Sequence, residues 1–214
     1  MSRIGVLGTG MVGKVLASGF LKHGHEVMIA TRDPNKVADW LEMNPKGRVG
    51  SHKEMGAWAD LVVLSSKGTA AEDAIGLCRA LDLEGKTIID TTNPIADAAP
   101  TNGVLHYFTD LEESLMERLQ RALPGAHFVK AFNSVGNAYM VNPDFKGVKP
   151  TMFICGNNDE AKQEVRVILD QFGWETEDVG GVEGARAIEP LCILWCMPGF
   201  NRNQWTHAFK LLKA

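Results

Sequence analysis

Several things are missing from this chain, and each absence narrows its function. No apolar run approaches the roughly 20 residues needed to cross a bilayer as a helix, so no membrane partner is expected. The 22 Lys and Arg residues form no block, and 26 Asp and Glu leave a formal net charge of −4. That balance argues against nucleic acid, which requires a concentrated basic surface. Only four cysteines occur, Cys78, Cys155, Cys192 and Cys196, in apolar contexts without C-x-x-C spacing. They read as reduced core or helix residues rather than a disulfide frame or a metal site. The first residues read as a strand rather than as a charged, apolar and cleavable leader, which sets a cytoplasmic expectation. There is no internal repeat and no low-complexity segment.

What is present begins at once, with Ile4-Gly5-Val6-Leu7-Gly8-Thr9-Gly10-Met11-Val12-Gly13. An apolar strand breaks into glycines and runs straight into a helical pattern carried by Met11, Val12, Val15, Leu16, Phe20 and Leu21. Gly24 and a second apolar strand, Val27 to Ala30, follow. A pyrophosphate needs bare backbone N–H groups close to it, and glycine lets the chain come that near. In this G-x-G-x-x-G arrangement Gly8 makes the turn, Gly10 admits the phosphates and Gly13 lets helix and strand pack closely. With Thr9, Met11 and Val12 between them, these residues are the core of an expected dinucleotide site.

The end of the second strand indicates which dinucleotide. An NAD-selective site places a carboxylate there for the ribose 2′-hydroxyl. Here stand Thr31 and Arg32, with Lys36 one helical turn further on. A hydroxyl, a guanidinium and an ammonium suit a 2′-phosphate, and Arg32 can also stack on adenine. The expected cofactor is therefore NADP(H). Asp33, the competing acid, reads as an N-cap ahead of Pro34.

Strand and helix alternate through the rest of the chain, the signature of a doubly wound, mainly parallel Rossmann-type α/β sheet. Helices are expected over Pro34 to Met43, Thr69 to Leu81 (Ala70, Ala74, Ile75, Leu77, Cys78 and Leu81 inward), Leu111 to Leu123 and Asp159 to Phe172. Strands are expected over Asp60 to Leu64, Lys86 to Asp90, His127 to Phe132, Thr151 to Cys155 and Trp174 to Val179. Ligands of open α/β sheets bind beyond the carboxyl ends of the strands. That rule selects Ser65, Ser66 and Lys67 for the ribose and diphosphate, and Asn93, Pro94 and Asn133 near the nicotinamide. The long loop from Ile95 to Thr109 reads as a lid or binding loop. Residues 1–180 would form the NADP-binding domain. Residues 181–214 would form a helical tail broken at Pro198-Gly199, with Phe200 to Leu212 as its second helix, closing the acceptor cleft or a homodimer interface.

The fingerprint Ile4 to Gly13, the Thr31, Arg32 and Lys36 pocket, the strand Asp60 to Leu64, Ala131-Phe132-Asn133, the turn Cys155-Gly156-Asn157-Asn158-Asp159 and Arg186-x-x-Glu189 together resemble the NADP-dependent oxidoreductases related to the reductase of the deazaflavin coenzyme F420. They are also similar to the reductase domain of the STEAP metalloreductases. The resemblance implies direct hydride transfer between nicotinamide C4 and a flavin-type ring, F420 or a flavin, as the small-molecule partner. It implies a cleft between the sheet and the C-terminal helices, near Asn93-Pro94, Asn133 to Ala138 and the helix after Gly184.

Such a reaction needs alignment and exclusion of water, and the cofactors carry the hard chemistry. No catalytic side chain is nominated: His106, His127 and His207 stand isolated, and His23 and His25 flank a helix-to-strand turn on the face away from the ligand. Two rival readings remain. One is an imine or hydroxyacid reductase using NADPH, which would need a larger helical domain after the last strand. The other is a non-catalytic NADP-binding sensor.

Overall fold

The computed structural model describes residues 1–214. Its first half is built from β1 (Arg3–Leu7), α1 (Met11–Lys22), β2 (Glu26–Ala30), α2 (Ala38–Met43), β3 (Arg48–Gly50), α3 (His52–Trp58), β4 (Leu61–Leu64), α4 (Ala71–Gly76), α5 (Ala80–Leu83) and β5 (Thr87–Asp90). The second half adds α6 (Leu115–Ala122), β6 (His127–Lys130), β7 (Thr151–Ile154), α7 (Asp159–Gln171), β8 (Glu175–Asp178), α8 (Ala185–Ile188) and α9 (Pro190–Arg202).

Six strands form one sheet in the order β3-β2-β1-β4-β5-β6, and every neighbour pair is parallel. The order reverses between β1 and β4, so their carboxyl ends flank the switch point where such sheets bind ligands. Side chains alternate between two buried faces, as the twofold strand period requires. Ile4, Val6, Leu61 and Val63 pack with α1, Trp40 of α2 and Val165 and Leu169 of α7. Leu7, Val62, Leu64 and Ile88 pack with Met55 of α3, Ile75 of α4 and Leu115, Met116 and Leu119 of α6. Among these buried strands Gly5 is required by packing, because a Cβ there would run into Met55 Sδ and Ala59.

Several boundaries differ from expectation. β7 and β8 pair in parallel as a separate two-stranded sheet, joined to β6 through a single antiparallel bridge, Lys130 to Cys155. β6 stops at Lys130 because buried Phe132 takes a left-handed backbone, φ 61°, which a strand cannot accommodate. The expected Pro34 to Met43 helix opens as a 3₁₀ turn, Pro34–Val37, capped by the Asp33 carboxylate accepting from Asn35 N–H at 3.1 Å. The expected Thr69 to Leu81 helix divides into α4 and α5, which turns Ala70, Leu77 and Leu81 outward. α6 begins only at Leu115, where Ser114 and Glu117 form a reciprocal capping box.

The tail departs most. α9 continues through Pro198 and Gly199 and ends at Asn203, whose left-handed conformation caps it. No second helix follows. Residues 204–214 run as an extended strap along β7 and β8: Thr151 N–H donates to the Phe209 carbonyl at 2.8 Å, and Lys210 pairs with Glu175 at 2.6 Å. The Trp205 ring lies against Gly199, where any Cβ would collide with it. No helix is long and apolar enough to cross a membrane.

Candidate functional site

The Gly8 to Gly13 turn acquires its shape from β4 beneath it. Gly8 has φ +140°, and a Cβ there would stand 2.6 Å from the Ser65 backbone and hydroxyl. A Cβ on Gly13 would collide with the Gly8 carbonyl and stand 2.7 Å from Ser65 Oγ. Around Gly10, by contrast, a Cβ would meet nothing within 4 Å. Two glycines thus serve packing, and one leaves the backbone open toward a cleft. Gly10 is also the N-cap of α1 and supplies no capping side chain, so the first-turn amides keep their donors free for an anion.

The cleft has a volume of about 1060 Å³ and opens at the carboxyl ends of β1, β2 and β4. Gly8 through Val12 form its floor, and Thr31, Arg32 and Lys36 form one wall. Ser65, Ser66 and Lys67 line the cleft from the end of β4. The two serines differ in task. Ser65 Oγ donates to the Leu7 carbonyl at 3.2 Å and props the glycine turn, whereas Ser66 Oγ is buried and has no protein partner. Thr31 is half committed as well, donating to the Asp33 carbonyl and accepting from Asp33 N–H, both at 3.0 Å.

Charge across the cleft is asymmetric. Glu72 and Asp73 of α4 face the basic wall formed by Arg32 and Lys36. Every other arginine of the chain has a side-chain partner, an acid or, for Arg202, Gln204. Arg32 has neither a hydrogen bond nor an ion pair, although it sits at the cleft wall. A cluster of positive charge left without protein partners is suited to a ligand anion. Leu77 lines the same cleft, exposed, and offers an apolar surface opposite Arg32. Its helical spacing suggested a core position; the division of α4 from α5 reassigned it. His52, at the start of α3, is a further lining residue that no motif signalled.

Asn93, Pro94 and Asn133 do not line this cleft. The two asparagines bind each other instead: Asn133 Nδ2 donates to Asn93 Oδ1 at 3.0 Å, and Asn93 Nδ2 donates to the Asn133 carbonyl at 2.8 Å. Asn133 Nδ2 also reaches the Ile188 carbonyl at 3.0 Å, tying the sheet to α8.

Below them lies an assembly that no motif signalled. Lys130 Nζ, without exposed surface, sits 2.6 Å from Asp90 Oδ2 and 2.9 Å from Glu189 Oε1, and donates to the Thr92 carbonyl at 2.9 Å. Glu189 in turn accepts the Leu115 and Met116 N–H groups at the start of α6, each at 3.0 Å. Burial alone would lower the Lys130 pKa, but the two carboxylates outweigh it and hold the ammonium above its usual range. The Ile95 to Thr109 loop is anchored rather than free, since Tyr107 Oη donates to the Glu189 carbonyl at 2.7 Å. All four cysteines are free, and Cys192 and Cys196 stand one turn apart on α9. No group of three or more His, Cys, Asp or Glu is arranged to hold a metal.

The whole chain superposes on the crystal structure of an Arthrobacter sp. FB24 protein assigned as an F420-dependent NADP reductase, with a TM-score of 0.93, 30% sequence identity and 100% of both chains covered. This chain belongs to the coenzyme F420-dependent NADP oxidoreductase family. The profile described as NADP oxidoreductase, coenzyme F420-dependent, matches residues 3–94, the N-terminal part that carries the glycine turn, the basic wall and the serines. The F420-dependent NADP reductase of Methanothermobacter thermautotrophicus is 27% identical over 198 residues, covering 87% of this chain and 84% of that protein. The rat metalloreductase STEAP3 is 26% identical over 201 residues and 92% of this chain. The chain spans only 38% of that metalloreductase's length. Family membership thus accords with an NADP-binding cleft at the carboxyl ends of the parallel strands.

Proposed function

We propose that this chain is an NADP(H)-dependent oxidoreductase that passes hydride between the nicotinamide and a flavin-type acceptor, F420 or a flavin. One observation carries the cofactor half of the reading: Arg32 alone among the arginines lacks a side-chain partner, and with Lys36 it lines the cleft beside an open glycine turn. The residues fit the dinucleotide. Gly10 leaves room for the diphosphate at the first-turn amides of α1, the buried Ser66 hydroxyl awaits a polar partner, and Arg32 and Lys36 suit the 2′-phosphate. Arg32 and Leu77 offer flat and apolar surfaces for adenine. Bound NADP(H) would supply the hydride.

The chain's own contribution is to bind, align and exclude water, as a transfer between two flat rings requires. The acceptor half of the proposal draws on family membership and on the bracing of α8 and α9 against the sheet ends by Glu189 and Asn133. The test follows NADPH absorbance while F420, FMN, FAD, a quinone and a ferric chelate are offered in turn. Saturable oxidation with F420 or a flavin is expected. Arg32→Ala should weaken NADPH binding by about 1.5 to 3 kcal/mol, the scale of a charged hydrogen bond, and NADH binding far less. Tight NADPH binding with no oxidation by any acceptor would overturn the enzymatic reading in favour of a binding module.

A further inference from the structure

His52 stands at the first position of α3, half-buried, with its side chain on the cleft that Arg32 and Lys36 line. Of the six histidines, His23, His25, His106 and His207 each have a protein group at hydrogen-bond distance of a ring nitrogen; the His52 and His127 rings have none, and of these two His52 lines the cleft. What holds this residue in place is its backbone, whose carbonyl accepts from Cys78 Sγ at 3.4 Å. The imidazole is therefore free to serve a ligand.

The charges around it define which ligand. From the β2 side come Arg32, Asp33 and Lys36; across the cleft stand Glu72 and Asp73 of α4, with Lys67 at the end of β4. On its own helix Lys53 is exposed, and the Glu54 carboxylate is engaged by Ser51 N–H at 2.8 Å. Beneath it the Cys78 thiol is pushed up to about 11 by burial and stays protonated. Partial burial and then the Arg32 guanidinium hold the imidazole below its ordinary pKa, so in the free protein it is neutral at pH 7. An anion placed between Arg32 and His52 reverses that second effect, because a dianion favours the imidazolium.

We propose that His52 is the third, proton-dependent member of the 2′-phosphate pocket, binding the phosphate dianion as an imidazolium beside Arg32 and Lys36. It is a specificity-determining residue, and the inference rests on the NADP reading above. Binding NADPH then takes up a proton. A group whose pKa rises on binding contributes affinity that is complete below its free-state pKa and is lost as pH rises through its pKa in the complex. The phosphate's own second pKa, about 6, acts in the opposite direction at lower pH. The pH profile of NADPH affinity should therefore pass through a maximum and descend as pH rises above the lowered His52 pKa of the free protein.

The test measures Kd for NADPH and for NADH from pH 5.5 to 8.5 with the native protein and His52→Gln. It adds an NMR titration of the His52 ring with and without adenosine 2′-phosphate. Expected are a roughly tenfold loss of NADPH affinity across the descending limb, no such limb for NADH or for His52→Gln, and a His52 titration moved to higher pH by adenosine 2′-phosphate. If His52→Gln keeps the native NADPH profile, or weakens NADPH and NADH equally at every pH, the assignment is overturned while the Arg32 pocket stands. If the native protein shows no preference for NADPH over NADH at any pH, the underlying cofactor reading falls and this inference falls with it.

Discussion

Replacing Glu189 by Gln keeps volume and shape but removes one of the two carboxylates that neutralise Lys130. In the native protein Glu189 Oε1 is 2.9 Å from Lys130 Nζ and also accepts Met116 N–H, while Oε2 accepts Leu115 N–H. An amide can offer an acceptor at only one of its two atoms. Whichever way the substituted amide turns, an NH₂ faces either the Lys130 ammonium or a backbone donor of α6. Breaking a buried, hydrogen-bonded ion pair costs about 3 to 5 kcal/mol. Asp90 remains 2.6 Å from Lys130 and retains part of the compensation, so the lower end, about 3 kcal/mol, is expected. For a chain of this size that is a fall in Tm of roughly 6 to 12 °C. Urea denaturation followed by far-UV circular dichroism reads the change directly. The double variant Glu189→Gln with Lys130→Met should be less stable still, because it leaves the buried Asp90 carboxylate without its cation. A loss below about 1 kcal/mol for Glu189→Gln, on the scale of an exposed pair, would refute the view that this cluster braces α8 and α9 against the sheet.

Two further perturbations separate packing from ligand contact and test the electrostatics. Gly13→Ala should destabilise the fold by about 1 to 3 kcal/mol through overpacking against Gly8 and Ser65, whereas Gly10→Ala, with open space at its Cβ, should leave Tm nearly unchanged and weaken NADPH binding at least tenfold; calorimetry and a binding titration on the two variants check this contrast. Glu117 is held down to about 2 by the Arg186 guanidinium, with Ser114 assisting, from an ordinary value of 4.5. A depressed carboxylate contributes stability above its unfolded pKa and loses it as pH falls through the folded one. Tm of the native protein should therefore fall more steeply between pH 4.5 and pH 2 than that of Glu117→Gln, and parallel curves would count against the pairing.

How far the chain could be read in advance depended on whether the determinant was local. The G-x-G-x-x-G turn was legible because glycine geometry and its flanking strand and helix lie close together in sequence. The basic residues after β2 were legible because their position follows from the strand before them. Ser65 and Ser66 looked alike as strand-end polarity, and only the packing of Gly8 and Gly13 onto Ser65 separated a prop from an open hydroxyl. Leu77 has core spacing only on an unbroken helix; the interruption after Gly76 turns it to the cleft.

By itself, then, the sequence determined the alternating parallel architecture, the glycine turn and the sign of charge at the second strand, since hydrophobic period, backbone permissiveness and side-chain charge act over a few residues. Tertiary structure alone decided that α9 runs through Pro198-Gly199, that the tail straps along β7, and that Asn93 and Asn133 bind each other. It also brought Asp90, Lys130 and Glu189 together from distant parts of the chain. These outcomes turn on burial and on satisfying polar groups among segments distant in sequence, and no local pattern records which partners a buried charge will find.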